Sequence, residues 1–580
     1  SARLSLAPGQ KPVIGCLMIF PSLIEEVRRG RRNLFSSPKV ALAIVVPAIL
    51  AIAVACAPQA PVRPPCPEGE VCLLIGNGSE PATLDPHKAT GTWESRILAD
   101  AFMGLAQDDA SGEAIPGMAE RWEVSDDGLV WTFYLREAVW SDGVPVSADD
   151  FVFSLRRILL PETASEYSSL LYFIQGAQAL NEGKAGVETL GVRAIDPRTL
   201  EIRLVHPAPY LTEVAKHQTM SPVPKHLVER LGDAWVQPQN IVTNGPYRIA
   251  AWRLGDHVRM TKNPLFYEAD KVCVDQVYYY PTTDAASSER RVRRGELDIS
   301  YEVQSNRIAF LREEIPDYVR THTYLGVAYM AFNSNVEALK DVRVRRAISM
   351  ALDREFITDK LLRGGQVPAY NYVPPGVANY VSPPEPEWSK WPLERRQDEA
   401  RRLLAQAGYG PSNPLKLEIK HRNSSDPTLF MPAIQADLKQ VGIDLALAQN
   451  EVQIAYAAYR VRDFQIADAG WVADYNDAMS FLYLNGSTAG SQNYGDYNNP
   501  RYDELLRLAD NEPDSATRAG YLAEAERIML EDAPIVPVYF LNTKALVNPR
   551  ITGWVDNIID QHRTRYLCVQ DAQRADRGIN

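Results

Sequence analysis

The sequence predicts an exported α/β protein of two or three domains. Three observations carry that expectation. The chain has 580 residues, more than one core usually holds. Strand-like and helix-like segments alternate along it. A basic head precedes an acidic body: the net charge is −12, yet residues 1–55 carry seven Lys/Arg against two Asp/Glu. Apolar residues make up 46% and charged residues 23%, which excludes a largely disordered chain. The acidic balance argues against nucleic acid as the main partner.

The head reads as a secretory signal over residues 1–55. Arg28, Arg29, Arg31, Arg32 and Lys39 form its basic region, and residues 40–55 run without a charge to Ala53-Val54-Ala55-Cys56. A basic stretch, a short apolar run and small residues at the end are the marks of an export signal. A transmembrane anchor is the competing reading, but a span usually needs ~20 apolar residues, and Pro47 sits mid-run. Small residues followed at once by Cys resemble a bacterial lipobox, although Ala53 stands where Leu is commoner. Cleavage there would leave Cys56 as a lipidated N-terminus. The stretch before the basic region is long for a signal, so residues 1–17 are expected to reflect a start placed too early, with Met18 as the true one. Residues 56–72 then comprise the lipidated Cys and a Pro-rich tether.

The body mixes both kinds of element. Residues 129–135 (Leu-Val-Trp-Thr-Phe-Tyr-Leu) are rich in β-formers and follow the turn Asp126-Asp127-Gly128. Residues 199–205 alternate Leu200, Ile202 and Leu204 against Glu201 and Arg203. Residues 274–280 and 535–541 read the same way. Helices are expected over 147–160, opened by Ser147 with Asp150 three residues on, over 397–407, stopped at Gly408, and over 515–531. There is no internal repeat. Composition and periodicity reach no further than an exported, multi-domain α/β protein.

Cysteine usage fits an oxidising compartment. With Cys16 in the signal and Cys56 lipidated, Cys66, Cys72, Cys273 and Cys568 remain, enough for two disulfides. Cys66 and Cys72 are near enough to close a small loop, which leaves Cys273 and Cys568 as the long-range pair. Four free thiols are the alternative, disfavoured for an exported protein. No metal or cofactor is expected: there is no Cys-x-x-Cys, and the eight His residues show no ligand spacing. Catalytic signatures are absent too. There is no Gly-rich phosphate loop and no Gly-x-Ser-x-Gly elbow. Ser36-Ser37-Pro38-Lys39 matches a Ser-x-x-Lys pattern but lies in the export signal. An enzyme reading is therefore disfavoured, although triads are spatial and sequence spacing can hide them.

Several longer motifs stand in a telling order: Leu84-Asp85-Pro86-His87-Lys88; Trp140-Ser141-Asp142-Gly143 running on to Phe151; Ser221-Pro222-Val223-Pro224-Lys225; Thr243-Asn244-Gly245-Pro246-Tyr247; Ala351-Leu352-Asp353-Arg354; and Gly470-Trp471-Val472-Ala473-Asp474-Tyr475. In this order they closely resemble the periplasmic oligopeptide-binding proteins, the peptide-class solute receptors of ABC importers. The resemblance runs from about residue 73 to 568. It implies a two-lobed clamshell of the periplasmic-binding-protein type with an additional inserted domain. Residues 73–102, 227–325 and 542–580 would form the first lobe, 103–226 the extra domain and 326–541 the second lobe. It also implies a monomer that encloses an oligopeptide, hands it to the transmembrane subunits of a permease, and meets the membrane through its lipid anchor.

The resemblance assigns site residues as well. The Asp of the family's Trp-x-x-Asp-Tyr motif meets the peptide's α-amine, a role that falls to Asp474. Trp471 and Tyr167 match residues that line the pocket, and Tyr324 and Tyr329 match aromatic wall positions. Backbone groups around Gly470 and Val472 would pair with an extended ligand as an added strand. For Asp474 a surface turn is the bland alternative, and for the three tyrosines it is core packing.

Departures from the pattern stand out. Enteric receptors carry a Cys at the place of Val472 and its partner at Gly326, so that cross-link is absent. The family Arg three places before the Trp is Asp468, a reversal of charge in the region that receives peptide carboxylates. A pocket Trp is replaced by Gln453. Arg460 or Arg462 is the expected substitute cation. The expectation is thus an oligopeptide receptor. The alternatives are a narrower receptor for cell-wall peptides or another amine-bearing solute, and, less favoured, a peptidase or amidase on a related scaffold.

Overall fold

Two long strands, Val319–Phe332 and Ile535–Val547, run through the middle of the molecule and pair antiparallel. The computed structural model describes residues 66–570; the signal segment, Cys56 and most of the tether fall outside them, as does the side chain of Gln453. The two strands join eight others along one sheet, with the short Val367–Pro368 strand pairing Ile535–Val547 off its path. Its order is Ile443–Asn450, Leu415–Arg422, Ile466–Val472, Val319–Phe332, Ile535–Val547, Ile299–Ser300, Cys72–Gly76, Gln276–Tyr280, His257–Lys262, Tyr247–Arg253. The pair turns polar midway, the point we take as its crossing between lobes. Leu541-Asn542-Thr543-Lys544 is half-buried, while both flanks of that strand are buried. The pairing register slips between Thr323 and Val327, and such an irregularity bends and twists a strand.

Past the crossing, side-chain alternation builds two cores. Val327, Tyr329 and Ala331 enter one apolar cluster and Ala328, Met330 and Phe332 the other, as a period of two requires of a strand buried on both faces. Tyr329 is therefore a core residue, 4% exposed and edge-on to Tyr372 with ring centroids 5.3 Å apart.

Residues 106–203 add a hairpin and a four-stranded antiparallel sheet, ordered Ala119–Val124, Val130–Leu135, Thr199–Arg203, Val192–Asp196. Val130–Leu135 alternates half-buried and buried positions along its length. The helix Ala148–Leu159 opens at Ser147, whose amide and hydroxyl both donate to the Asp150 carboxylate, at 2.9 and 3.1 Å, so an otherwise unpaired N–H group is satisfied. Trp131, Phe133, Phe151 and Leu155 share one continuous core with Leu73, Ile75 and Val277. The insertion is thus welded to the first lobe by apolar contact. The helix expected over 397–407 begins earlier, at Leu393. Its extra turn buries Arg396, which donates to the Leu352 carbonyl, and an apolar-periodicity argument does not see a buried arginine.

Cys66–Cys72 and Cys273–Cys568 are both bonded, with Cα atoms 5.8 and 5.2 Å apart, inside the usual range. The second ties the C-terminal segment to the stretch just before the Gln276–Tyr280 strand, across 295 residues. Its reduction, or Cys568→Ser, is expected to lower the unfolding free energy by ~2–4 kcal/mol, measured by urea denaturation with and without reductant. An unchanged midpoint would mean that the cross-link carries no stability.

Candidate functional site

A cavity of about 280 Å³ opens between the lobes. Four parts of the chain wall it: the helix Thr92–Ala101, the insertion (Tyr167, Glu213, Lys216, His217), the crossing strand (Tyr324, Leu325), and the loop after Ile466–Val472 (Val472 to Asn476). Arg563, near the C-terminus, completes the floor.

The loop is held by its own hydrogen bonds. The Asp474 amide donates to Ser480 Oγ at 3.1 Å. The Trp471 indole donates to the Ser480 carbonyl at 2.7 Å, so Trp471 braces the loop and does not line the cavity. The Ala473 amide donates to Leu325 of the crossing strand at 2.9 Å. These contacts leave the Asp474 side chain pointing at the cleft. Its carboxylate is solvent-accessible, and among the described residues it has no hydrogen-bond or ion-pair partner. Crowding by the walls removes part of its water and raises its pKa above the ordinary Asp value. Two phenols feel its charge. Burial first and Asp474 second push Tyr483 up to about 12, and the same two causes raise Tyr167. Tyr324, pushed up to about 12 chiefly by burial, stands on the crossing strand. All three remain protonated and able to donate.

The other charges of the wall are spoken for. Arg563 donates two hydrogen bonds to Asp108, at 2.6 and 2.9 Å. Lys216 lies 3.1 Å from Asp108 and 2.6 Å from Glu213. All four side chains are at most 8% exposed. Burial holds His217 down to about 4, so its imidazole is neutral in ordinary buffers. The wall's two cations and two anions cancel, and Asp474 is left as one negative charge facing the cavity.

The remaining expected residues divide. Val472 lines the cavity and stands opposite Gly326 in the strand register. The two positions of the missing cross-link are therefore true neighbours. Tyr329 packs in the core, away from the cavity. Gly470 pairs with Ala328 on one side, but on its other edge its strand pairs with Leu415–Arg422 only at Ile466 and Ala467. Among the described residues, no second strand pairs with the backbone from Asp468 to Val472.

The reversed charge at Asp468 is answered from the neighbouring strand. Asp468, 1% exposed, accepts from Arg422 Nε at 2.9 Å and from a second guanidinium nitrogen at 3.2 Å. Arg422 also donates to the Tyr456 hydroxyl at 3.1 Å. Its guanidinium lies 3.6 Å from where a Cβ on Gly470 would stand. Burial works against its charge, but Asp468 outweighs burial and raises its pKa. Of the two cations expected from sequence, Arg462 pairs with Asp496 at 2.8 Å, and Arg460 is exposed at the end of its helix. Sequence reasoning missed Arg422, Glu213, Lys216, Arg563 and Tyr483; Arg422, Lys216 and Arg563 meet carboxylates far away in the chain.

The family model for bacterial extracellular solute-binding proteins, family 5, matches residues 113–493. The chain belongs to this family. Its relatives include the periplasmic oligopeptide-binding protein OppA of Salmonella typhimurium, 38% identical over 497 residues that cover 84% of this chain and 91% of that protein. Among solved structures, the unliganded open form of the murein tripeptide-binding protein MppA aligns with a TM-score of 0.81 at 33% identity, covering 87% of this chain and 98% of that one. Haemophilus influenzae OppA in complex with the peptide RPPGFSPFR aligns at 0.70 with 33% identity, covering 87% and 100%. The two-lobed architecture with its insertion is thus that of the family's binding proteins.

Proposed function

We propose that this protein captures oligopeptides in the interlobe cleft, holds their α-amine on Asp474, and delivers them to an ABC permease. The observation that carries the reading is the uncompensated Asp474 carboxylate in a cavity whose other charges are paired. A free peptide brings a cation, and an enclosed cation requires an anionic partner. From Asp474 the backbone of residues 468–472, with which no second strand pairs among the described residues, offers an extended ligand main-chain hydrogen bonds that are indifferent to its side chains. At ~3.3 Å per residue, the four steps from Asp474 to Gly470 match an extended ligand of about four residues. Closure of the lobes over the ligand is the signal a permease can read.

Native mass spectrometry of the purified protein tests this reading. Bound masses that match a spread of peptides support it. One defined mass favours the narrower receptor, a reading prompted by the likeness to a murein tripeptide-binding protein. Cleavage of added peptides would point to a peptidase.

The raised Asp474 carboxyl adds a pH dependence. A bound ammonium favours the ionised form, so binding releases a proton. Affinity for a free-amine peptide is therefore full above the raised pKa and falls as pH drops through it. The free protein behaves in the opposite way: a raised carboxyl loses stability as pH climbs from the ordinary Asp value through the raised one. Asp474→Asn should accordingly melt no lower than the parent near about pH 7 and level with it near about pH 3, by thermal scans without ligand. A variant that melts clearly below the parent at neutral pH would contradict this.

The anchor belongs to the same proposal. Two acyl chains give stable membrane attachment where one is marginal. Cys56→Ser is expected to shift the protein from the membrane to the soluble fraction or to block its processing. Unchanged fractionation with unchanged processing would sink the lipoprotein reading.

A further inference from the structure

The loop that carries Asp474 is gripped on its far side by the inserted segment. Tyr475 follows Asp474 directly, and its ring stacks on Tyr210 with centroids 4.9 Å apart and planes 22° from parallel. Two residues further on, Asp477 accepts two hydrogen bonds from Arg518, at 2.7 and 2.9 Å, with both side chains 5% exposed. One Asp477 oxygen also accepts from the Met479 amide at 2.8 Å, which fixes the loop's exit into the next helix. Arg518 holds more than Asp477: its guanidinium lies 5.1 Å from the centroid of the Tyr210 ring. One aromatic ring thus touches both the residue after Asp474 and the arginine that anchors the loop's end.

That ring belongs to the insertion, while Tyr475, Asp477 and Arg518 belong to the second lobe. Tyr210 is itself held, 8% exposed, with Phe173 edge-on at 6.2 Å. Stacked rings and a cation over a ring contribute beyond the area they bury, and a loop clamped at two points has little freedom to move the carboxylate between them.

We propose that Tyr210 is a positioning residue for Asp474: it links the inserted domain to the ligand loop and sets where the carboxylate stands. The proposal rests on the amine-anchor reading above. It assigns the insertion a part in ligand affinity although Tyr210 lies outside the cavity wall.

The test compares tetra-alanine with N-acetyl-tetra-alanine by calorimetry. The ratio of the two affinities measures how well the amine is held, which a merely structural residue leaves alone. Tyr210→Phe keeps the ring and should keep the parent's ratio within about twofold. Tyr210→Leu should weaken the free-amine peptide tenfold or more and leave the acetylated one near its parent value, so that the ratio collapses. Arg518→Lys keeps a charge for Asp477 but loses the planar contact; it should lower the ratio in the same direction, and it serves if Tyr210→Leu does not fold. Asp474→Asn is the reference. If it loses the ratio while Tyr210→Leu and Arg518→Lys retain it, the positioning role is overturned and the amine anchor stands. If Tyr210→Leu weakens both peptides equally, the role is general packing and the proposal fails. If Asp474→Asn itself retains the ratio, the amine anchor falls and the positioning role with it.

Discussion

Asp474→Ala is expected to weaken the binding of a free-amine peptide by ~2–5 kcal/mol, the usual result of removing one member of a buried charge pair. That is a loss of roughly 30-fold to several thousand-fold in affinity. The size follows from the cavity's electrostatics. Asp108, Glu213, Lys216 and Arg563 neutralise one another, so no second carboxylate is free to take the ammonium when Asp474 is gone. Because Asp474 makes no side-chain bond in the free protein, its removal should cost little folding stability. A large loss of affinity with an unchanged melting profile is therefore the expected pairing. If the variant binds as tightly as the parent, the likeness to the family reaches the fold and not the amine site.

Arg422→Leu should be strongly destabilising, at ~3–5 kcal/mol. It strands the Asp468 carboxylate, 1% exposed, without its counter-charge, and it removes the donor to the Tyr456 hydroxyl. Replacing both partners, as Arg422→Leu with Asp468→Leu, should recover much of the loss, because two apolar side chains leave no buried charge. Urea denaturation of the two singles and the double reads the result. A cost below ~1 kcal/mol for Arg422→Leu would mean that the pair behaves like an exposed one.

These cases mark how far the sequence was legible. Local signals survived well. Ser147 with Asp150 caps a helix where the pattern placed one, and the alternation at 199–205 and 274–280 became strands Thr199–Arg203 and Gln276–Tyr280. Asp474 could be singled out because its neighbours Trp471 and Tyr475 form a motif with it. Arg422 could not. It lies 46 positions from Asp468 and meets it only because Leu415–Arg422 runs beside Ile466–Val472; nearness in sequence suggested Arg460 and Arg462 instead. Lys216 and Arg563 read as ordinary solvated charges until the fold buries them against Asp108. Tyr329 takes the core-packing alternative that the sequence left open for it, because strand alternation turns it toward Tyr372.

Asp474 and the ligand's α-amine are expected to meet in the closed cleft. A double-mutant cycle measures that contact directly, with parent and Asp474→Ala each titrated calorimetrically with one peptide in free and N-acetylated form. If the two groups form one pair, removing either abolishes the same interaction. The acetylated peptide should then bind parent and variant about equally poorly, and the coupling energy should reach ~2 kcal/mol or more. A coupling near zero, with acetylation and substitution adding independently, would place the amine elsewhere in the cleft and contradict the account.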